Sequence, residues 1–130
     1  MIALKRAYQP FARADGYRVL VDRLWPRGVR KADAHIDVWL KDIAPSTELR
    51  QWFGHEPKRW LEFRLRYRKE LRSESAKSLL DDLAKRVRTG TVTLVYAAHD
   101  EVHNGAIVLQ GICERRARGG KAKHHARRAA

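Results

Sequence analysis

The stretch Tyr17-Arg18-Val19-Leu20-Val21-Asp22-Arg23-Leu24-Trp25-Pro26-Arg27-Gly28 decides the fold of this chain. Its Val-Leu-Val centre is continuously apolar, which is typical of a strand that is covered on both faces of a sheet. The strand is expected to end before Trp25-Pro26, because proline has no N–H to donate to the ladder and Gly28 permits a turn. A strand buried on both faces favours a layered α/β fold.

Two further strands are predicted on either side of this one. Ile2–Arg6 is a short strand followed by a turn at Asp15-Gly16, and Val92–Ala97 is a second apolar strand. The connection between the first two strands is short for a parallel crossover, which usually takes a dozen or more residues. The two strands could therefore be antiparallel, and the sequence leaves the direction of this pair open.

Between the second and third strands, the apolar spacing predicts four helices. The first begins at Asp33 and ends at Pro45, because Ile36, Trp39, Leu40 and Ile43 recur at helical spacing. The other three are predicted over residues 46–54, 57–71 and 75–88. A last helix is predicted over residues 102–116, broken by Gly119-Gly120.

The charge of the chain is unusual. The 130 residues carry a net charge of +13, and seven Lys or Arg with no acid follow Glu114, so residues 1–114 keep +6. We predict one α/β domain over 1–116 and a basic, disordered tail over 117–130. Such charge attracts polyanions, including nucleic acid, although a generally basic surface is the alternative interpretation.

Several classes of protein are disfavoured by what the sequence lacks. No apolar run approaches the length of a membrane span, and the N-terminus has no signal-peptide pattern, so we expect a cytoplasmic protein without a membrane partner. A single cysteine, Cys113, excludes an internal disulfide. Because neither a phosphate-binding loop nor a Gly-x-Gly-x-x-Gly motif is present, no cofactor is predicted. The sequence leaves the oligomeric state unknown.

A candidate site lies at the predicted carboxyl ends of the strands, where open α/β sheets bind ligands. Residues 22–28 follow the strand that contains Val19–Val21. Residues 96–100 close the strand Val92–Ala97, and Asn104 follows them near the start of the last helix. If the two strands are neighbours, arginines and a helix N-terminus converge there, which suits an anionic or phosphorylated ligand. Asp22 and Asp100 are the candidate general acids or bases. The candidate ligand-binding residues are Arg23, Trp25, Arg27, Gly28, Tyr96, His99 and Asn104.

A different interpretation of the same residues is purely structural. Asp22 and Arg23 would then pair with neighbouring groups, and Trp25 would close the end of the core. His99 and His103 are four apart, as in some zinc sites, but His99 is expected in a turn, so no metal is predicted. Cys113 is expected to be a buried apolar residue, with a reactive thiol as the alternative.

The chain resembles the YeaO-like branch of the bacterial family called domain of unknown function 488. The resemblance covers nearly all of residues 1–116. It is carried by Val21–Gly28, Trp39–Ser46, Leu49–His55, Trp60-x-x-Phe63-x-x-x-Tyr67, Leu94–Ala98, Asp100 and Asn104-x-Ala106. It implies a small Rossmann-like three-layer α/β domain, with a short, mostly parallel sheet and about five helices, and no established substrate.

The resemblance also bears on individual site residues. It adds Lys41 to the candidate site, with Asp42 and Ser46. The alternative is that Lys41 and Asp42 are the solvated flank of a helix and that Ser46 is a helix N-cap, and for Ser46 the cap is the favoured interpretation. His99 stands where this family is expected to carry lysine or arginine, and a histidine is mostly neutral near pH 7. A positive charge at that position is therefore not expected.

Three functions remain open at this point. The first is a domain that binds a phosphate-bearing or nucleic-acid ligand at the strand ends. The second is a small enzyme acting on a nucleotide-like or phosphorylated substrate, and the third is a protein-interaction module. The third predicted helix could present its aromatic face to bases, but aromatic residues at this spacing more often face a core.

Overall fold

The computed structural model describes the backbone of residues 1–129 and the side chains of residues 1–119. The strands are β1 (Ile2–Arg6), β2 (Tyr17–Leu20), β3 (Val38–Trp39) and β4 (Val92–Tyr96). The helices are α1 (Lys31–Ala34), α2 (Thr47–Phe53), α3 (Trp60–Glu70), α4 (Glu74–Thr89) and α5 (Gly105–Ala129), with 3-10 turns at Arg13–Asp15, Lys41–Ile43 and Pro57–Arg59. The predicted small α/β domain is confirmed.

The four strands form one sheet in the order β1-β4-β2-β3, and every neighbouring pair is parallel. The strands β1 and β2 are therefore not neighbours, since β4 lies between them and is parallel to both. The connection over residues 7–16 crosses β4, where the Thr93 hydroxyl donates to the Asp15 carbonyl at 2.7 Å. This arrangement brings the carboxyl ends of β2 and β4 side by side.

Gly16 makes that short connection possible. Its φ of +65° is a left-handed conformation, and a Cβ at this position would lie 2.3 Å from the Thr91 carbonyl oxygen. The same carbonyl accepts the Tyr17 N–H at 3.0 Å, so the chain enters β2 directly after the turn. The turn predicted at Asp15-Gly16 is confirmed.

Both faces of the sheet are covered, as the continuous Val-Leu-Val pattern predicts. Val19 and Val21 belong to the main core that the helices form with the sheet. Leu20 points to the other face and is fully buried together with Val95. That second face is covered by α1 and by loops, and Arg18 is buried there with its guanidinium paired to Asp15 at 2.5 Å.

The helix predicted from Asp33 to Pro45 is wrong. The α-helix α1 covers only Lys31–Ala34, Val38–Trp39 forms the edge strand β3, and Lys41–Ile43 is a single 3-10 turn. The N–H of Asp37 donates to the Arg18 carbonyl at 2.9 Å, and the N–H of Leu40 donates to the Leu20 carbonyl at 2.9 Å. Pairing with β2 has thus overridden the helical spacing of the apolar residues.

The helices α2, α3 and α4 match their predictions. Ser46 caps α2 by accepting the Leu49 N–H at 3.1 Å, and Gly54 ends that helix with a φ of +53°. The aromatic face of α3 lies in the core, where Phe63 and Tyr67 are buried, so it is not free to stack on bases. The hydroxyl of Tyr67 donates to the Ile43 carbonyl, which joins α3 to the 3-10 turn at Lys41–Ile43.

The last helix differs from its prediction at both ends. It begins at Gly105, after the N-cap Asn104, and its backbone continues to Ala129, past the break predicted at Gly119-Gly120. Because the side chains from Gly120 onward lie outside the described residues, the disordered tail over 117–130 stays a prediction. Within the described residues, no helix has the length and apolar character that crossing a membrane requires.

Cys113 lies on α5 within the main core. It is fully buried, and this burial raises the pKa of its thiol to about 12. Since the thiolate is the nucleophilic form, this environment favours the interpretation of Cys113 as a small apolar core residue.

Candidate functional site

The turn after β2 and the turn after β4 meet at the carboxyl edge of the sheet. The Val21 N–H donates to the Val95 carbonyl at 3.1 Å, which extends the pairing of the two strands. One residue further on, the Asp22 carboxylate accepts the Ala97 N–H at 2.8 Å. The prediction that these two turns open side by side is confirmed.

A cavity of about 250 Å³ opens between these turns, α2 and the start of α5. Its apolar walls come from Val21, Leu24, Trp25, Pro26, Pro45, Phe53, Phe63, Ala97, Ala98 and Ala106. Its polar or ionisable groups come from Asp22, Arg23, Arg50, His55, Tyr96, His103 and Asn104, and Gly105 completes the lining. A largely apolar concave surface with a few convergent polar groups is typical of a small-molecule site.

Asp22 is the acidic side chain that lines this cavity. Burial raises the pKa of its carboxyl, against the opposing effects of the hydrogen bond from the Ala97 N–H and the positive charge of Arg50. The Asp22 carbonyl also accepts the indole N–H of Trp39 at 2.7 Å, which attaches β3 to the turn. Asp22 thus joins the two turns that form the wall of the cavity.

Arg23 and Trp25 line the cavity, and both have structural partners. The guanidinium of Arg23 donates to the carbonyls of Pro45 at 3.1 Å and Ala44 at 3.2 Å, so it braces the loop before α2. The indole of Trp25 donates to the Val29 carbonyl at 2.6 Å. Their polar groups therefore shape the cavity, while the ring of Trp25 supplies part of its surface.

Arg50 was not predicted from the sequence, and α2 brings it to the cavity. Within the described residues, none accepts a hydrogen bond from its guanidinium. The sequence places Arg50 on α2 away from the apolar positions Leu49 and Phe53, but the spacing gives no sign that this side of α2 faces Asp22. His55, which follows α2 and has a φ of +58°, also lines the cavity.

Asp100 organises the turn that leads into α5. Its carboxylate accepts the N–H groups of Val102 and His103, both at 2.9 Å, and lies 2.9 Å from the Nδ1 of His103. Hydrogen bonds from the N–H and the ring of His103 and from the Val102 N–H lower the pKa of Asp100 to about 2. Asp100 itself lies outside the cavity lining, whereas His103, which the sequence does not predict as a site residue, belongs to it.

Asn104 sets the direction of α5. Its side-chain amide donates to the Asp100 carbonyl at 2.9 Å, and its side-chain oxygen accepts the Ile107 N–H at 3.1 Å. This cap puts Gly105 and Ala106, the first two residues of the helix, in the cavity wall. Tyr96 closes β4 beside them; it is buried, and burial raises the pKa of its phenol.

Four other predicted site residues lie outside the cavity lining. Arg27 and Gly28 are exposed, and the Arg27 carbonyl accepts the Tyr8 hydroxyl at 2.9 Å. The Lys41 ammonium lies 4.0 Å from the centroid of the Trp39 ring, and His99 is exposed. The cavity therefore contains the predicted residues Asp22, Arg23, Trp25, Tyr96 and Asn104, and any ligand contact of the others stays a prediction.

Known proteins that resemble this chain give a consistent picture. A protein-family model described as "Inactive DUF488-N3 subclade" matches residues 1–128. The chain is 46% identical over 109 residues to the uncharacterized protein YeaO of Escherichia coli strain K12, covering 83% of this chain and 92% of YeaO. It is 43% identical over 108 residues to an uncharacterized protein of Mycobacterium tuberculosis strain H37Rv, covering 83% and 89% of the two chains.

No solved structure matches this chain at a significant level. The family model covers nearly the whole chain, and the two bacterial relatives are 43% and 46% identical over more than four-fifths of it. The chain belongs to the domain of unknown function 488 family, in its YeaO-like branch.

Proposed function

We propose that the cavity between β2, β4 and α5 binds a small molecule that carries a phosphate or carboxylate group. The observation that carries this proposal is the meeting of Arg50 with the first turn of α5 at one largely apolar cavity. A guanidinium and the free N–H groups of a helix start both favour oxyanions.

The size and walls of the cavity support a small ligand. A volume of about 250 Å³ is slightly below the roughly 300–1,000 Å³ of typical small-molecule sites and is too small to enclose a polymer. The rings of Trp25, Phe53 and Phe63 supply flat apolar surface beside the polar groups. This combination suits a ring or short carbon skeleton that ends in an anionic group.

The residues that would hold the anion have few competing partners. Arg50 makes no hydrogen bond to the described residues, and its positive charge partly opposes the rise in the pKa of Asp22 that burial causes. The Gly105 and Ala106 N–H groups belong to the first turn of α5, where helix geometry leaves N–H groups without a partner in the helix. An oxyanion between them would be bound by both charge and helix dipole.

Proton-transfer catalysis is the second candidate, favoured by one observation. Asp22, with its raised pKa, shares the cavity with His103, whose Nδ1 is paired to Asp100. Such a pair of ionisable groups suits general acid–base chemistry on a bound substrate. The description "Inactive" of the matching family model favours binding without turnover, so binding is the first proposal.

The proposal is tested by calorimetry with the full chain and a panel of sugar phosphates, nucleoside monophosphates and aromatic carboxylates. Arg50→Gln removes the charge at the cavity, whereas Arg27→Gln removes an exposed charge outside it and serves as the matched control. We expect Arg50→Gln to weaken binding about 10- to 100-fold, as the loss of a charged hydrogen bond does, and Arg27→Gln to change it little. Equal losses in the two variants, or no binding by any compound of the panel, would contradict the proposal.

A further inference from the structure

The positive charge of the domain is concentrated in one segment, which contains α3. Residues 57–72, which comprise a 3-10 turn, α3 and the two residues that follow, contain seven Lys or Arg and two Glu, a net charge of +5. Residues 1–114 together carry only +6. A generally basic surface would spread this charge over the whole domain, so its concentration in residues 57–72 indicates a local function.

The two acidic residues of this segment do not neutralise most of its positive charge. Glu62 pairs with Arg66 at 3.0 Å. The Glu70 carboxylate accepts the N–H of Ser46 at 2.8 Å and its hydroxyl at 2.6 Å. Among the described side chains, no carboxylate lies within salt-bridge distance of Lys58, Arg59, Arg64, Arg68, Lys69 or Arg72.

Three of these residues form a row, which we call the arginine row: Arg64, Arg68 and Arg72. They are four residues apart in sequence: Arg64 and Arg68 lie about 6 Å apart along α3, and Arg72 lies in the turn that follows the helix. Arg64 and Arg68 are half-buried, and their Nε atoms are covered by the protein without a hydrogen-bond partner in the described residues. Their stems are therefore held against the domain, which lowers the entropy lost when the guanidinium groups bind a ligand.

The row is flanked by exposed apolar side chains. Leu61 and Leu65 are 70% and 64% exposed, one helical turn apart beside Arg64 and Arg68. The other side of α3 is buried through Phe63 and Tyr67, so Leu61 and Leu65 are the large apolar side chains that α3 exposes, which is less than the broad apolar face of a helix that enters a lipid surface. A flexible single strand presents phosphates with unstacked bases between them. Its phosphates would contact the arginines, and its bases would contact the leucines that alternate with them.

We propose that this surface of α3 binds single-stranded nucleic acid through its phosphate backbone, with the arginine row as the principal contact. Five of the seven basic residues in the segment are arginines, whose planar guanidinium groups match phosphate oxygens. This surface is separate from the cavity ligand proposed above, because none of the three arginines lines the cavity. The contact carries no base-specific recognition.

The test measures binding of the full chain to an unstructured uridine-rich RNA over a range of salt concentrations. The variant Arg64→Gln/Arg68→Gln/Arg72→Gln removes the row. The control Arg13→Gln/Lys77→Gln/Lys85→Gln removes the same charge from exposed positions elsewhere in the domain. Each phosphate contact with a single strand contributes roughly 0.7 to the slope of log K against log salt, so we expect the row variant to reduce that slope by about 2. We expect it to weaken binding about 100-fold at about 0.1 M salt.

The control variant is expected to change that slope by less than about 1, since its positions make no phosphate contact. Circular dichroism of both variants establishes that the helices remain folded. Equal losses in the two variants would overturn the proposal, because general charge would then be sufficient. Wild-type affinity in the row variant, or binding to anionic vesicles without binding to RNA, would overturn it as well.

Discussion

At the scale of single residues, Asp22 connects the ends of two strands, and burial opposes its ionisation. Because its pKa is raised in the folded state, the unfolded chain releases this proton first as pH rises. The free energy of unfolding therefore decreases as pH rises from below the ordinary carboxyl pKa to above the pKa of Asp22 in the folded state. Asp22→Asn keeps an oxygen that can accept the Ala97 N–H but removes this pH-dependent loss.

We expect Asp22→Asn to equal the wild type in free energy of unfolding near pH 3 and to exceed it by about 1 kcal/mol at pH 7. Urea unfolding at the two pH values measures both differences. Asp33→Asn is the control, since Asp33 is exposed and only loosely paired with Arg30 at 3.8 Å; its effect should stay within about 0.5 kcal/mol. A variant less stable than the wild type at pH 7 would show that the charged carboxylate stabilises the fold.

At the scale of secondary-structure elements, Ser46 joins two helices through one hydroxyl. It caps α2 by accepting the Leu49 N–H, and it donates to the Glu70 carboxylate at the end of α3 at 2.6 Å. Ser46→Ala removes both contacts, and we expect a loss of about 1–2 kcal/mol in thermal or urea unfolding. Ser78→Ala is the control, because Ser78 lies on the exposed side of α4; a similar loss in both variants would exclude the cap as the cause.

Elements whose pattern and capping agree could be predicted from the sequence. The strands β1, β2 and β4 follow apolar runs, and Ser46 and Gly54 bound α2 as their chemistry predicts. The segment from Asp33 to Pro45 could not be predicted in this way, because its hydrogen bonds go to β2. Its short strand β3 depends on a partner distant in sequence.

The candidate site likewise contains residues that the sequence predicts and residues that it does not. Asp22, Tyr96 and Asn104 follow strand ends, so a general rule for parallel sheets predicts that they meet. Arg50 and His103 reach the cavity only through the packing of α2 and of the turn before α5, which no local pattern encodes. Arg27 was expected beside Arg23, but the turn at Trp25-Pro26 directs it away.

At the scale of the whole molecule, the strand order determines where a ligand can bind. Because β4 lies at the centre of the sheet, its carboxyl end is next to that of β2, and the chain then enters α5 at the same edge. The strand ends, α2 and the start of α5 therefore enclose one cavity. The charged surface of α3 adds a second binding region, separate from this cavity.

The most direct test of the proposed binding site is a titration of the ¹⁵N-labelled chain with inorganic phosphate, monitored by two-dimensional NMR. Sodium chloride near 0.15 M would limit weak binding at exposed charges. We predict that the largest saturating shifts occur at the amides of Gly105 and Ala106, with smaller shifts at Ala97, and that Arg50→Gln removes them. Largest shifts in the Arg27–Val29 loop, or unchanged shifts in Arg50→Gln, would contradict binding at the cavity.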